Sequence, residues 1–333
     1  MCSVAAAGEL PTTMLAAAIT RRGGPEVMSI ERLPLPALKA GEVLIKVETA
    51  GVAVWDPWER EHADPSTHFP WVLGTDGSGV VAAVARGVRG FQVGDAVYGA
   101  ADGLPSGFYG QYVAIPADDI APLPRGVGIE EAGILAASGL SALQGIDDVL
   151  QLKAGESLII HGASGAVGTL AVQFAKLRGI RVLATVTNAA AATLVRRLGA
   201  DVAVNDQTED IVAAARRFAP HGVDAVLGLA GGDALERCID TLRTDRRGRV
   251  AYLEGIEGVR QGSYLPRPRL GMRMTLYSYI PGRLEFKRLN AAVESAHLRI
   301  PVAAEYPLAD IAQAHRRVAA GHVLGKVVLL LQR

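Results

Sequence analysis

The clearest chemical signal in the chain is the run Gly162-Ala163-Ser164-Gly165-Ala166-Val167-Gly168. It follows an apolar segment, 158–160, and opens a stretch with helical spacing from about residue 166 to 177. Small side chains at such a turn let the backbone approach a pyrophosphate. The free N–H groups at the start of the helix then stabilise its charge. Gly168 permits close packing of helix on strand. An ordinary strand–helix turn would also be tight, but this one sits between a strand and a helix in a unit of the right length, which favours a dinucleotide.

The second apolar run, 180–186, ends in Thr187 and Asn188, with no acid. NAD enzymes usually place Asp or Glu there to hold the ribose hydroxyls. Thr187 and Asn188 can instead bond a 2′-phosphate. Arg196 and Arg197 lie one to two turns into the next helix, where they read either as phosphate partners or as a solvated face. The cofactor expected from these residues is NADPH.

These residues need a parallel sheet to hold them. From 158 onward apolar strands alternate with helices: strands at 158–160, 180–186, 202–204, 224–227 and 248–253, and helices at 166–177, 190–198, 211–218 and 232–242. That order predicts a βαβ sheet. Irregular chain rich in Pro and Gly surrounds a further strand, MTLYSY. Helices at 286–297 and 308–319 and a last strand, KVVLLLQ, complete the chain. Residues 14–120 have a different character. Short β-branched runs broken by Gly and Pro predict a β-rich unit with few helices, in which Val43, Ile45 and Val47 alternate with Leu44, Lys46 and Glu48 as a half-buried strand. Tyr252, Tyr264, Tyr277 and Tyr279 read as core or as pocket lining.

Composition narrows the classes of partner. Of 333 residues half are hydrophobic, and 34 basic residues balance 34 acidic ones. A neutral chain argues against nucleic acid or an anionic membrane as the main partner, and the apolar share argues against disorder. No run reaches the roughly 18 apolar residues of a membrane span. The start, MCSVAAAGELPTT, lacks the basic opening of a signal peptide, so a cytoplasmic protein is expected. Two cysteines allow neither a disulfide framework nor a thiolate cluster.

Several segments together, AGVAVWDPWER, FPWVLGTDGSGVV, VRGFQVGDAVYG, GQYVAIP, HGASGAVG and GKVVLLL, resemble the zinc-independent quinone oxidoreductase branch of the medium-chain dehydrogenase/reductase superfamily. The resemblance covers nearly the whole chain from about Met14. It implies an α/β chain with a GroES-like β-rich catalytic domain at 14–137, completed by 283–333, and a Rossmann doubly wound domain at 138–282, after a flexible start at 1–13. It also implies NADPH-dependent reduction of a small-molecule quinone or α,β-unsaturated carbonyl, and a homodimer. An enoyl reductase of natural-product assembly and a non-catalytic NADPH-binding protein are the alternatives.

The same resemblance assigns residues. Zinc-dependent relatives carry a Cys and then a His-Glu pair where this chain has Gly51–Asp56 without Cys and Thr75-Asp76 without His, so no metal is expected. His62 and His68, with Asp56, are possible ligands but read better as exposed loop histidines. Position by position, Trp55, Asp56, Trp58 and Arg60 fall along the mouth of the cleft. The branch has Asn at Ala53 and Tyr at Trp58, and an indole cannot donate a proton as a phenol can. Arg60 is assigned either to donate to a carbonyl or quinone oxygen or to pair with Glu59, Glu61 or Asp64, and Asp56 to position the loop. Ser141 matches a nicotinamide contact. Asn205, Leu229, Ala230 and Gly255 fall at strand ends where cofactors bind. His161 is expected to be a hydrogen-bonded structural residue. Loops at 56–70, 100–110 and 256–285 are expected to shape the substrate pocket.

Overall fold

Turn residues divide the first third of the chain into the short strands its β-branched runs predict. The computed structural model describes residues 5–6, 10–101, 106–245, 247–255, 265–296 and 298–332. Outside the described residues lie parts of the 1–13 start, the 102–105 and 256–264 parts of two expected pocket loops, Tyr264, and the expected helix end at His297. Within the start, expected to be flexible, Ala5–Ala6 (β1) already pair with a strand.

β2 (Thr13–Ile19), β3 (Met28–Pro34) and β4 (Glu42–Val52) lead to helix α1 (Asp56–His62), which stands where a loop was expected. Then come β5 (Trp71–Val72), β6 (Asp76–Val84), β7 (Ala96–Ala100), β8 (Tyr112–Pro116) and β9 (Ile120–Pro122). β4 follows its expected alternation over 43–48 with one exception, since Lys46 is exposed and Glu48 partly so but Leu44 is buried. Val43, Ile45 and Val47 lie in the main core of this unit, and Leu44 is buried on the other face beside Ala82 and Ala83.

Two short helices, α2 (Ile129–Ala132) and α3 (Ala136–Gln144), carry the chain across. The expected alternation follows: β10 (Ser157–His161), α4 (Ala166–Leu177), β11 (Arg181–Val186), α5 (Ala189–Arg197), β12 (Val202–Asn205), α6 (Ile211–Phe218), β13 (Ala225–Gly228), α7 (Asp233–Ile239), β14 (Arg249–Leu253) and β15 (Arg273–Tyr277). These strands form one parallel sheet ordered β12-β11-β10-β13-β14-β15. The order reverses at β10, which is where such sheets open a crevice for ligands.

The chain returns through α8 (Arg283–Ala296), β16 (Val302–Pro307), α9 (Ile311–Ala319) and β17 (Lys326–Leu330). α8 shares its core with α3 and the parallel sheet through Phe286, Leu289 and Val293. The return to the first unit is made by β16 and β17, which extend its sheet to β16-β17-β4-β6-β7-β9, with β1 on β6 and β8 on β4. β16 was not anticipated. β2, β3 and β5 form a small separate sheet. Tyr98 ties the two units together, packing edge-on against Phe286 and donating to Asn290 Oδ1 at 2.6 Å. Among the described residues no helix is long and apolar enough to cross a membrane.

Candidate active site

β10 is buried throughout and apolar over Leu158, Ile159 and Ile160, ends at His161, then turns at Gly162 with φ +80°. Gly165 caps α4 without a side-chain bond, so the first N–H groups of a twelve-residue helix face the turn without intrahelical partners. At Gly168 an added Cβ would lie 2.5 Å from Gly162 O and 2.6 Å from Ala163 Cα. Backbone blocks it, so only glycine lets the helix sit this close to the strand. Gly165 faces more open space, with Gly162 O at 3.7 Å from a built Cβ. Ala163 is buried and its N–H donates to Thr185 O. Ser164 O accepts from Gly325 N at 2.9 Å, so the chain before β17 braces the turn. Ala166 and Val167 open the helix. This cradle fits a dinucleotide pyrophosphate.

The other expected cofactor residues lie along the same edge of the sheet, after the carboxyl ends of its strands. Leu229 follows β13 and donates to His161 O, and Leu229 and Ala230 flank Gly162. Thr187 follows β11, and its hydroxyl meets His322 Nδ1 at 3.0 Å. Asn188 is the N-cap of α5, accepting from Ala191 N at 2.9 Å, so its side-chain oxygen is already committed. Arg196 is also committed, donating to Ala203 O at 3.0 Å. Asn205 ends β12 and accepts from Gln207 N. His161 is buried against Thr185 Oγ1 at 2.7 Å, and burial lowers its pKa, as suits a neutral structural residue.

A pocket of about 140 Å³ opens where the two units meet, lined by Trp55, Thr75, Ser141, Leu253, Glu254, Gly255, Ser278 and Tyr279. Ser141 donates to Ala137 O at 2.7 Å one turn back in α3, leaving its lone pairs for a ligand N–H. Gly255 follows β14 with φ +81°. Trp55 Nε1 donates to Thr75 Oγ1 at 2.8 Å. Lys326 Nζ lies 5.6 Å from the Trp55 ring and 3.1 Å from Asp76 Oδ1.

The acceptor residues expected from the motif do not converge here. Helical spacing explains why. Asp56 and Arg60, four apart, share the buried face of α1, while Trp58 stacks on His62, also four apart, at 4.8 Å. None of the three lines the pocket. Arg60 is 2% exposed and donates to Gly23 O at 2.9 Å and His315 Nδ1 at 2.8 Å, and pairs with Glu61. It braces α1 against α9 and does not reach an acceptor. Asp56 Oδ2 accepts from Ala53 N at 2.6 Å and from the Tyr109 hydroxyl, which ties down the chain before α1. Burial, with Glu59 nearby, pushes its pKa up to about 7. Burial and the Arg60 charge push His315 down to about 3. Thr75 and Trp55, met in the sequence as a missing ligand and a motif neighbour, are what the first unit presents to the pocket among the described residues, with Lys326 of GKVVLLL against the indole.

Zinc ligation does not fit these residues. Among the described residues no group of three or more His, Cys, Asp or Glu could hold a metal, and the expected positions carry Gly51–Asp56 without Cys and Thr75-Asp76 without His.

Comparison with known proteins agrees with this architecture. Residues 39–125 match the alcohol dehydrogenase GroES-like domain and residues 198–329 the zinc-binding dehydrogenase family. The chain is 28% identical to a quinone oxidoreductase of Pseudomonas aeruginosa, covering 92% of this chain and 97% of that one. It is likewise 28% identical to a 2-haloacrylate reductase of a Burkholderia species, over 96% and 99% of the two chains. A solved mycobacterial protein complexed with NADPH superposes with a TM-score of 0.83 at 30% identity, over 96% of this chain and all of the other. The chain belongs to the medium-chain dehydrogenase/reductase superfamily, in its quinone oxidoreductase-like branch.

Proposed function

We propose that this protein is an NADPH-dependent reductase of a small quinone or α,β-unsaturated carbonyl that works without a metal. The observation that carries the reading is one of placement. The Gly162–Gly168 cradle and the Trp55–Tyr279 pocket lie along the same carboxyl edge of one parallel sheet, where a dinucleotide can span from one to the other. The 2′-phosphate assignment rests on the acid-free strand end, with Thr187 and the adjacent His322 as its partners. Asn188 and Arg196 contribute less than their positions suggested, because their side chains cap backbone.

Bound reduced nicotinamide supplies a hydride. The protein holds the pyrophosphate on the N-terminus of α4 and offers Ser141 as an acceptor beside the pocket. It aligns the acceptor and stabilises the negative charge that reaches its oxygen. The two-electron balance closes when one hydride and one solvent proton are added across the acceptor. Among the described residues the pocket lining carries two titratable side chains, Glu254 and Tyr279, beside the hydroxyls of Thr75, Ser141 and Ser278.

A homodimer is part of the same reading. β15 is the outer strand of the parallel sheet, and Leu270, Leu276, Ile280 and Leu284 on and beside it are exposed. Such an edge suits a second copy of the chain. The test of function is steady NADPH consumption with 1,4-naphthoquinone and 2-cyclohexenone, alongside fluorescence titration with NADPH and NADH. Turnover with tighter NADPH binding is expected. Tight NADPH binding without turnover of either compound would instead favour a non-catalytic binding protein.

A further inference from the structure

We propose that the Thr75 hydroxyl is the hydrogen-bond donor to the acceptor's carbonyl oxygen, and that Trp55 is the positioning residue that aims it. This rests on the reductase reading above and assigns the oxyanion contact that Arg60 cannot make.

An indole N–H donates and never accepts, whereas a threonine hydroxyl has one proton and two lone pairs. Trp55 Nε1 stands 2.8 Å from Thr75 Oγ1, so Thr75 must accept there and its own proton must point elsewhere. Thr75 is 7% exposed and lines the pocket, and among the described residues its hydroxyl has no acceptor. A buried donor without a partner is costly. It is satisfied when a carbonyl oxygen enters the pocket.

The indole is itself held from behind. Lys326 places its ammonium 5.6 Å from the ring centre, and Asp76 holds that ammonium at 3.1 and 3.3 Å. Both charged groups are buried, at 4% and 0% exposure, so the pair is a fixed element. The main chain at Thr75 is pinned as well, with Ala101 N donating to Thr75 O at 2.6 Å. A line of contacts therefore runs from Asp76 through Lys326 and Trp55 to the Thr75 oxygen. It leaves that hydroxyl a narrowed rotor, aimed before substrate arrives, which is the form in which a donor is most effective at developing charge.

The hydride would leave a C–H bond of the reduced nicotinamide, which would be oxidised, and form a C–H bond at the carbon β to the carbonyl. The C=C pair shifts toward the oxygen, and Thr75 donates a hydrogen bond to the enolate without losing its proton. Water then delivers a proton to the α carbon.

Three variants test this: Thr75→Val, Thr75→Ser and Trp55→Phe, each checked for its melting temperature. Thr75→Val should lower kcat for 2-cyclohexenone by about 100-fold, the usual cost of one oxyanion donor, with NADPH affinity unchanged. Thr75→Ser should restore most of the rate. Trp55→Phe should lower kcat by less and leave KM nearly unchanged. Infrared difference spectra of 2-cyclohexenone bound beside oxidised cofactor read the hydrogen bond without turnover. The carbonyl stretch should rise in Thr75→Val and return in Thr75→Ser. A wild-type rate and an unmoved stretch in folded Thr75→Val would overturn the assignment. An inactive wild type whose carbonyl stretch still responds to Thr75→Val would sink the reductase reading alone.

Discussion

Asp56→Asn should become more stable relative to the parent as pH rises. The Asp56 carboxyl is fully buried, its Oδ2 accepts from Ala53 N and the Tyr109 hydroxyl, and Oδ1 has no hydrogen-bond partner among the described residues. Its pKa stands near 7 against 3.8 for an exposed aspartate, chiefly through desolvation and then through Glu59. That gap corresponds to about 4 kcal/mol at 1.36 kcal/mol per decade. A raised carboxyl pKa stabilises the fold fully below 3.8, and the contribution is lost as pH climbs through about 7. Asparagine is nearly the same shape and does not titrate. Its oxygen can accept both hydrogen bonds, and its amide replaces an equally unpartnered Oδ1, so the two proteins should be similar near pH 4. By pH 8.5 the variant should have gained up to about 4 kcal/mol on the parent. His315 moves the opposite way, losing stability as pH falls below 6.5 because its folded pKa is about 3, but it does so in both proteins and largely cancels in the difference. Urea unfolding of both proteins at pH steps from 4 to 8.5, with m-values checked for constancy, measures the difference directly. A difference in stability that stays flat with pH would refute the view that Asp56 is neutral in the fold at low pH.

Gly168→Ala should fold but weaken NADPH binding at least tenfold, since its Cβ meets backbone at 2.5 Å and displaces the turn; calorimetric titration reads this. Arg60→Ala should cost about 2–4 kcal/mol in unfolding experiments by stranding His315 Nδ1 and Gly23 O, while the single-turnover rate per folded molecule stays at the parent value. Prolonged treatment with a strong chelator should leave turnover unchanged, and activity restored only by added zinc would contradict the metal-free reading. Thr187→Asp should shift cofactor preference toward NADH by repelling a 2′-phosphate, which paired titrations would show.

The first five strands of the parallel sheet were legible because they are apolar runs alternating with helices, whereas β15 lies in irregular chain, and helix α4 begins where Gly165 said it would. The cradle was legible for the same local reason. The first unit was harder to read. α1 hides in a segment with Pro57 in its first turn, where seven residues show barely two turns of periodicity. β16 is short, Ala-containing and half-buried, and its pairing to β17 is a long-range matter. The acceptor side was misread because a motif gives positions and not directions. The four-residue spacing of Asp56 and Arg60 puts both on one face only because the segment is a helix where a loop was expected, and nothing in the motif says that this face looks at Gly23 and His315. Thr75 was noticed only for not being a ligand, and its bond to Trp55 crosses 20 residues of sequence. Asn188 and Arg196 kept their positions but spend their side chains on the α5 cap and on the Ala203 carbonyl of β12, which composition at a strand end does not reveal.

Single turnover with NADPH deuterated at the transferable position tests the central claim most directly. Protein pretreated with chelator is mixed with one equivalent of labelled NADPH and excess 2-cyclohexenone, and absorbance of the reduced nicotinamide is followed while the product is analysed by mass spectrometry. The account predicts that the absorbance decays and that one deuterium appears at the carbon β to the carbonyl. Decay without deuterium in the product, or a bound cofactor that persists in reduced form with both the enone and 1,4-naphthoquinone, would contradict it.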